Sequence, residues 1–155
     1  MTIYDKIIQS LENSNVAFER LEHEPVKTSQ EASKIRGSSI EEGAKALIFK
    51  ADNKPVLIVV SGDRKVEVAK FKLLYKIKNL KFISPFEVKE LTGLEVGSIP
   101  PFGPVLKLPM YCDSSIFANV TMVFNAGSLT KSIRMKTKDF DKIVSPIKGE
   151  FSAKL

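Results

Sequence analysis

At 155 residues, with 24 Lys plus Arg against 18 Asp plus Glu and a net charge of +6, the chain has the length of one domain (1–155) that buries about two thirds of its unfolded surface, and its positive excess suits phosphate-rich partners without specifying one. The lone cysteine, Cys112, excludes an internal disulfide and a cysteine-built zinc site, and the lone histidine, His23, leaves a histidine-based metal site short of ligands. No apolar run approaches the ~20 residues of a membrane span, and MTIYDKIIQSLENS has neither the apolar stretch nor the cleavage site of a signal peptide, so a cytoplasmic protein without membrane association is expected.

In chain order, YDKIIQSLENS places Tyr4, Ile7, Ile8 and Leu11 at helical intervals and predicts an amphipathic helix over 2–14. VAFERLEHE alternates as a short strand does. TSQEASKIRG offers Thr28 as N-cap, Glu31 three residues on and Gly37 as a stop, a helix over 29–36. AKALIFKA and PVLIVVSG form a hairpin, with turn chemistry from Asp52, Asn53 and Pro55. VEVAKFKLLYKI reads as a helix with Phe71, Leu74, Tyr75 and Ile77 on one side and Lys70, Lys72, Lys76 and Lys78 outside, a lysine face that is either solvated or a nucleic-acid patch. LKFIS is a short strand. SPFEVKELTG is a helix with Ser84 as N-cap, Pro85 at its first position, Glu87 completing the box and Gly93 ending it.

EVGSIPPFGP, Glu95 to Pro104, then crowds glycine and proline around Phe102 and reads as a shaped loop, neither helix nor central strand. VLKLP, NVTMVFNAG and SIRMK read as strands and TKDFDKIV as a short helix. Hairpins imply antiparallel pairing, and no steady β-α alternation exists, so the fold class is α+β.

Catalytic constellations are limited by supply. A Cys-His dyad would have to join His23 to Cys112, and neither lies in a nucleophile motif. GSSIEEGAK lacks the G-K-[ST] ending of a phosphate-cradling loop. Lys45, just before an apolar run, either projects an ammonium from a rigid strand or is a solvated strand-end residue. His23 lines a pocket, donates to a backbone carbonyl or caps a strand end; Cys112 reads as a small semi-buried hydrophobe. A general nucleotide- or RNA-binding domain would rest on the charge and the lysine-rich helix, without an RRM-type stacking motif.

Four segments in order resemble the YbaK/ProX-type aminoacyl-tRNA deacylases, also found as an editing domain inserted in some prolyl-tRNA synthetases. HEPVKTSQEASKIRG is similar to the family's early His, Thr and helix segment, GAKALIFK to its lysine-bearing strand, VGSIPPFG to its Gly-x-x-Pro-Pro-x-Gly loop, and FNAGSLTKSIRMKTKDF to its last glycine loop and strand. The resemblance implies a compact α+β domain with a curved, mixed, largely antiparallel and barrel-like sheet surrounded by helices. The implied activity is hydrolysis of the ester joining a wrong small amino acid (such as Ala, Cys, Ser or Thr) to a non-cognate tRNA, with tRNA-Pro a candidate, in trans. Lys45 corresponds to the family's essential lysine, and Gly97, Ser98, Ile99, Pro100, Pro101, Phe102 and Gly103 to the loop around the ester and terminal adenosine. Asn125, Ala126 and Gly127 correspond to a second wall of that pocket, and His23, in the family's early His segment, is counted among the substrate-binding positions.

On this reading the N–H groups of Gly97, Ser98 and Gly103 are available to a developing oxyanion, and the prolines keep the loop stiff. Lys45, protonated if exposed, serves as an electrostatic clamp on phosphate or carbonyl, and a ribose hydroxyl or the substrate amine helps to activate water. No metal and no cofactor is implied. The partner is the 3′ acceptor end of aminoacyl-tRNA; a transient association with a synthetase or elongation factor, and the oligomeric state, stay open. The His-containing form of the last glycine loop is absent, which weakens an alanine-specific reading. The rival reading is a catalytically silent aminoacyl-tRNA or nucleotide-binding module using the same pocket.

Overall fold

Side-chain capping starts three of the six described α-helices. In the computed structural model, which describes residues 1–26 and 28–155, the Thr2 hydroxyl accepts the Asp5 N–H and the Asp5 carboxylate accepts the Thr2 N–H, starting α1 (Ile3–Asn13). Ile7, Ile8 and Leu11 of α1 are buried. After β1 (Phe18–Glu22), Thr28 caps α2 (Ser29–Arg36) and Gly37 closes it in the left-handed conformation. Ser84 and Gly93 do the same for α4 (Pro85–Thr92).

The central hairpin is β2 (Ala44–Ala51) and β3 (Lys54–Ser61), paired antiparallel. Its turn is Asp52-Asn53 alone, both at positive φ (48° and 70°), the arrangement that matches strand twist. Pro55 belongs to β3, opposite Lys50, and not to the turn. Next come β4 (Arg64–Val66), α3 (Val68–Tyr75), β5 (Leu80–Phe82), α5 (Gly103–Leu106), β6 (Met110–Asp113), a 3-10 turn at Ser114–Ala118, β7 (Thr121–Asn125), β8 (Lys131–Lys136), α6 (Thr137–Val144), β9 (Ile147–Gly149) and β10 (Ser152–Lys154).

A five-stranded mixed sheet runs β5-β2-β3-β6-β9, with β3, β6 and β9 parallel to one another. An antiparallel sheet β1-β8-β7 and an antiparallel pair β10-β4 complete the α+β mixture. No closed barrel is found among the described residues, and no described helix is long and apolar enough to cross a membrane. The period-two alternation of strands divides the hairpin between two clusters. Ala44, Ala46, Ile48, Leu57 and Val59 enter one with α1, while Phe49, Ala51, Val56, Ile58 and Val60 enter the other with Phe71 and Phe151. Covered on both faces, β3 reads as the continuous apolar run VLIVV.

Several expectations are corrected. VLKLP is not a strand: Val105 and Leu106 finish α5, Lys107 turns left-handed at φ 59°, and pairing begins at Met110. The Pro/Gly segment is a loop only to Phe102, since Gly103 and Pro104 open α5, where a missing proline N–H leaves no bond unmade. On α3, Phe71 is buried but Leu74 is exposed, and Ile77 lies beyond the helix. Cys112 is fully buried instead of semi-buried, and burial pushes its thiol pKa up.

β9 pairs with β6, and the start of β10 is held by a buried carboxylate. Asp113, 2% exposed, accepts from the Phe151 N–H (2.8 Å) through Oδ1, and from the Ser115 N–H (3.0 Å) and the Ser152 hydroxyl (2.7 Å) through Oδ2. Arg64 donates to the Ser152 hydroxyl and carbonyl, joining β4 to the same clip.

Candidate active site

A pocket opens between the inner face of α2, the start of β2, the loop after α4 and the end of β7; Arg36, Gly43, Lys45, Gly97, Ile99 and Asn125 are among its walls. Lys45 stands on β2 between the core residues Ala44 and Ala46, so the pleat turns it to the opposite face. It is neither a free nor a solvated strand-end ammonium: half-buried, its Nζ donates to the Arg64 carbonyl at 2.7 Å. Burial lowers its pKa, and the Asp63 charge opposes that shift. It forms no ion pair among the described residues.

Gly97 has φ +92°, a conformation that strains any residue with a Cβ. Its carbonyl accepts from Asn125 Nδ2, and its N–H meets no acceptor among the described residues. The Ser98 N–H is occupied by the Glu95 carbonyl (3.1 Å), which also takes the Ser98 hydroxyl (2.7 Å). The Gly127 N–H donates to the Ser98 carbonyl at 3.0 Å and ties the two loops together.

A chain of polar groups stands behind Asn125. Its Oδ1 lies 3.1 Å from the Ser132 hydroxyl and 3.3 Å from Arg36 Nη1, while Ser132 Oγ lies 2.7 Å from His23 Nε2. His23 Nδ1 faces the Glu24 carbonyl at 2.8 Å; a carbonyl only accepts, so Nδ1 carries a hydrogen. His23 thus braces Ser132 from outside the pocket wall. Arg36 also bonds Ser132 through Nη1 (3.3 Å), and its Nη2 lies 3.2 Å from where a Cβ on Gly43 would stand. Burial, and then the Arg134 charge, lower the Arg36 pKa to about 10, so it stays a cation at neutral pH. Among the described residues no cluster of His, Cys, Asp or Glu could hold a metal ion.

A family model for the aminoacyl-tRNA editing domain matches residues 23–143, which span every one of these pocket walls. The chain belongs to the aminoacyl-tRNA editing domain family. Among editing-domain relatives, the multifunctional Ser/Thr-tRNA deacylase ProXp-y of Escherichia coli (strain K12) is 33% identical over 148 residues, 92% of this chain and 89% of that protein. A proline–tRNA ligase of Caldicellulosiruptor bescii is 35% identical over 91 residues, 59% of this chain and 16% of the ligase. The solved structure of hypothetical protein APE2540 matches in fold with a TM-score of 0.85 at 21% identity, covering 96% of this chain and 99% of that one.

Of the positions that the editing-domain resemblance singles out, the structure brings Lys45, Gly97, Ile99 and Asn125 to the pocket. Phe102 is instead a core residue, 1% exposed, its ring centroid 5.4 Å from that of Phe124 and 5.9 Å from that of Phe140. Pro100, Pro101 and Ser98 are buried behind the wall. Ala126 is also core, and Gly127 backs onto Ile3, against which an added Cβ would stand at 3.0 Å. Gly103 is not positioned as an oxyanion donor: its N–H points to the Met110 sulfur at 3.4 Å inside the core. A Cβ there would stand 2.7 Å from Met110 Cβ and 2.8 Å from the Leu108 carbonyl oxygen. Gly103→Ala is therefore expected to cost about 2 kcal/mol of stability by overpacking, read as a lower melting temperature, with the activity of the folded fraction unchanged. Sequence reasoning missed Arg36 and Ser132. An arginine in the last turn of a helix reads as a partner for the helix dipole, and the available signal was Gly43, whose bare Cα makes room for the guanidinium.

Proposed function

We propose that this chain is a trans-editing aminoacyl-tRNA deacylase that hydrolyses the ester of a small, wrongly attached amino acid, serine or threonine foremost, at the tRNA acceptor end. The observation that carries the reading is the meeting of Lys45 and Gly97 in one pocket within the family-matched segment. The likeness to ProXp-y along most of both chains supports the amino-acid choice and action in trans. Residues 1–155 work as one domain in the cytoplasm, where charged tRNA is met.

Water adds to the ester carbonyl carbon, the carbon–oxygen bond to the ribose breaks, and the ribose oxygen leaves carrying a proton, giving free amino acid and tRNA. The Lys45 ammonium and the unengaged Gly97 N–H stabilise the charge that develops on the carbonyl oxygen. Among the described residues no carboxylate, imidazole or thiol lines the pocket. Activation of the water therefore falls to the substrate's own ribose hydroxyl or amine. Asn125 holds the Gly97 peptide in place, and Ser132, braced by His23, holds Asn125.

The test is a deacylation panel with tRNAs charged with serine, threonine, alanine, cysteine and proline. Hydrolysis of the seryl and threonyl esters well above the others is expected. No hydrolysis across the panel, with tRNA still bound, would replace the enzyme by the silent binding module.

A further inference from the structure

We infer that Arg36 forms an anion subsite of this pocket and that its occupant is a phosphodiester of the substrate, the one 5′ to the terminal adenosine. The inference rests on the aminoacyl-tRNA reading above and adds to it which part of the acceptor end the pocket holds by charge.

The first observation is a missing counter-ion. The Arg36 guanidinium is largely withdrawn from water at the end of α2 and pairs with no carboxylate among the described residues. The neighbouring charge is another cation, Arg134, which donates to the Arg36 carbonyl at 3.0 Å and whose own carboxylate partner is Glu19. Desolvating a cation without an anion is unfavourable, and an arriving anion reverses that cost.

The second observation is where the donors point. Nη1 is engaged by Asn125 and Ser132, and Nε is enclosed without a partner. Nη2 lies against Gly43 and has no acceptor among the described residues, so it is the corner of the fork left for a ligand. Any side chain at position 43 would push that corner aside.

The third observation is the charge of the pocket. Its described walls include Arg36 and Lys45 and no carboxylate. An aminoacyl ester brings an amine, which can add only positive charge, while the terminal ribose and base are neutral. Phosphodiesters are the substrate's full negative charges, and the one 5′ to the terminal adenosine is nearest to the ester. Like-charge repulsion directs the amine away from Arg36 and opposite charge draws the phosphate to it.

The experiment compares adenosine 5′-monophosphate with adenosine by titration calorimetry on the full chain. One charge-assisted contact predicts that the wild type binds the monophosphate about tenfold more tightly. Arg36→Gln should erase that preference and leave adenosine affinity unchanged. In deacylation, Arg36→Gln should raise KM about tenfold with kcat within about threefold, a split that a purely structural role would not give. If Arg36→Gln does not fold, Gly43→Ala supplies the displacement of the guanidinium and should weaken the monophosphate selectively. Equal binding of the two ligands by the wild type, or a preference that survives Arg36→Gln, overturns the subsite. Wild-type deacylation in the same preparation then leaves the enzymatic reading standing; a phosphate preference without any deacylation sinks that reading and keeps the subsite.

Discussion

Replacing Lys45 with alanine is expected to lower kcat for deacylation by roughly 100-fold or more, the scale of losing one pre-aimed electrostatic donor, while the melting temperature stays within a few degrees of wild type. The two effects separate because the side chain does two unequal things. Structurally it makes one hydrogen bond to the Arg64 carbonyl at a half-buried position, worth about 1 kcal/mol net. In the proposed reaction it supplies a positive charge from a half-buried position on a rigid strand. Burial lowers the Lys45 pKa and Asp63 opposes the shift, so the ammonium is lost at a lower pH than that of a free lysine. Activity that depends on the charged form should therefore fall on the alkaline side, and a wild-type pH–rate profile checks this. A Lys45→Ala protein that keeps half of its activity would remove the residue from the chemistry.

The largest loss of stability is expected at Asp113. Asp113→Ala leaves the Phe151 N–H, the Ser115 N–H and the Ser152 hydroxyl without their acceptor in a buried site, a cost of about 3–4 kcal/mol from unsatisfied buried donors. Asp113→Asn keeps one oxygen and should fall between the two. The pH dependence follows from the same contacts. Burial raises the carboxyl pKa, but the hydrogen bonds from Ser115, Ser152 and Phe151 together lower it further, leaving it below the ordinary value. A folded-state pKa below the unfolded one gives stability that is present above about pH 4 and lost as pH falls through the folded value. Urea unfolding between pH 7 and pH 2 should show that loss in the wild type and a flatter curve in Asp113→Asn; identical slopes would contradict it.

What could be read from the sequence follows the range of the forces involved. Thr28, Ser84, Gly37 and Gly93 announce helix ends because capping is settled within four residues. Ordered motifs single out Lys45 and Gly97, and the structure brings both to one pocket. By contrast, VLKLP has the alternation of a strand, yet Lys107 turns left-handed and the pairing moves to MYCD beside β3. β9 and β10 are three residues each and carry little apolar pattern; the last strand is tied in by β4 and by Asp113, 39 residues before Ser152. Phe102 looked like a ligand contact because it sits inside a functional motif, and only packing against Phe124 and Phe140 assigns it to the core. The partners of Arg36 lie on β7 and β8 and after β1, which no local window connects.

The hydrophobic core extends beyond the stretch that carries the family likeness. Ile7 and Leu11 of α1 and Phe151 near the end are all at 0% exposure, and all three lie outside residues 23–143. Phe151 packs edge-on against Phe71 with centroids 5.1 Å apart, and β10 clasps β4, whose Arg64 carbonyl holds Lys45. Anyone transplanting this editing unit onto a synthetase must therefore graft both flanks with it. A cut at the motif borders would open two hydrophobic wounds and loosen the anchor of the lysine to which the proposed chemistry assigns the charge.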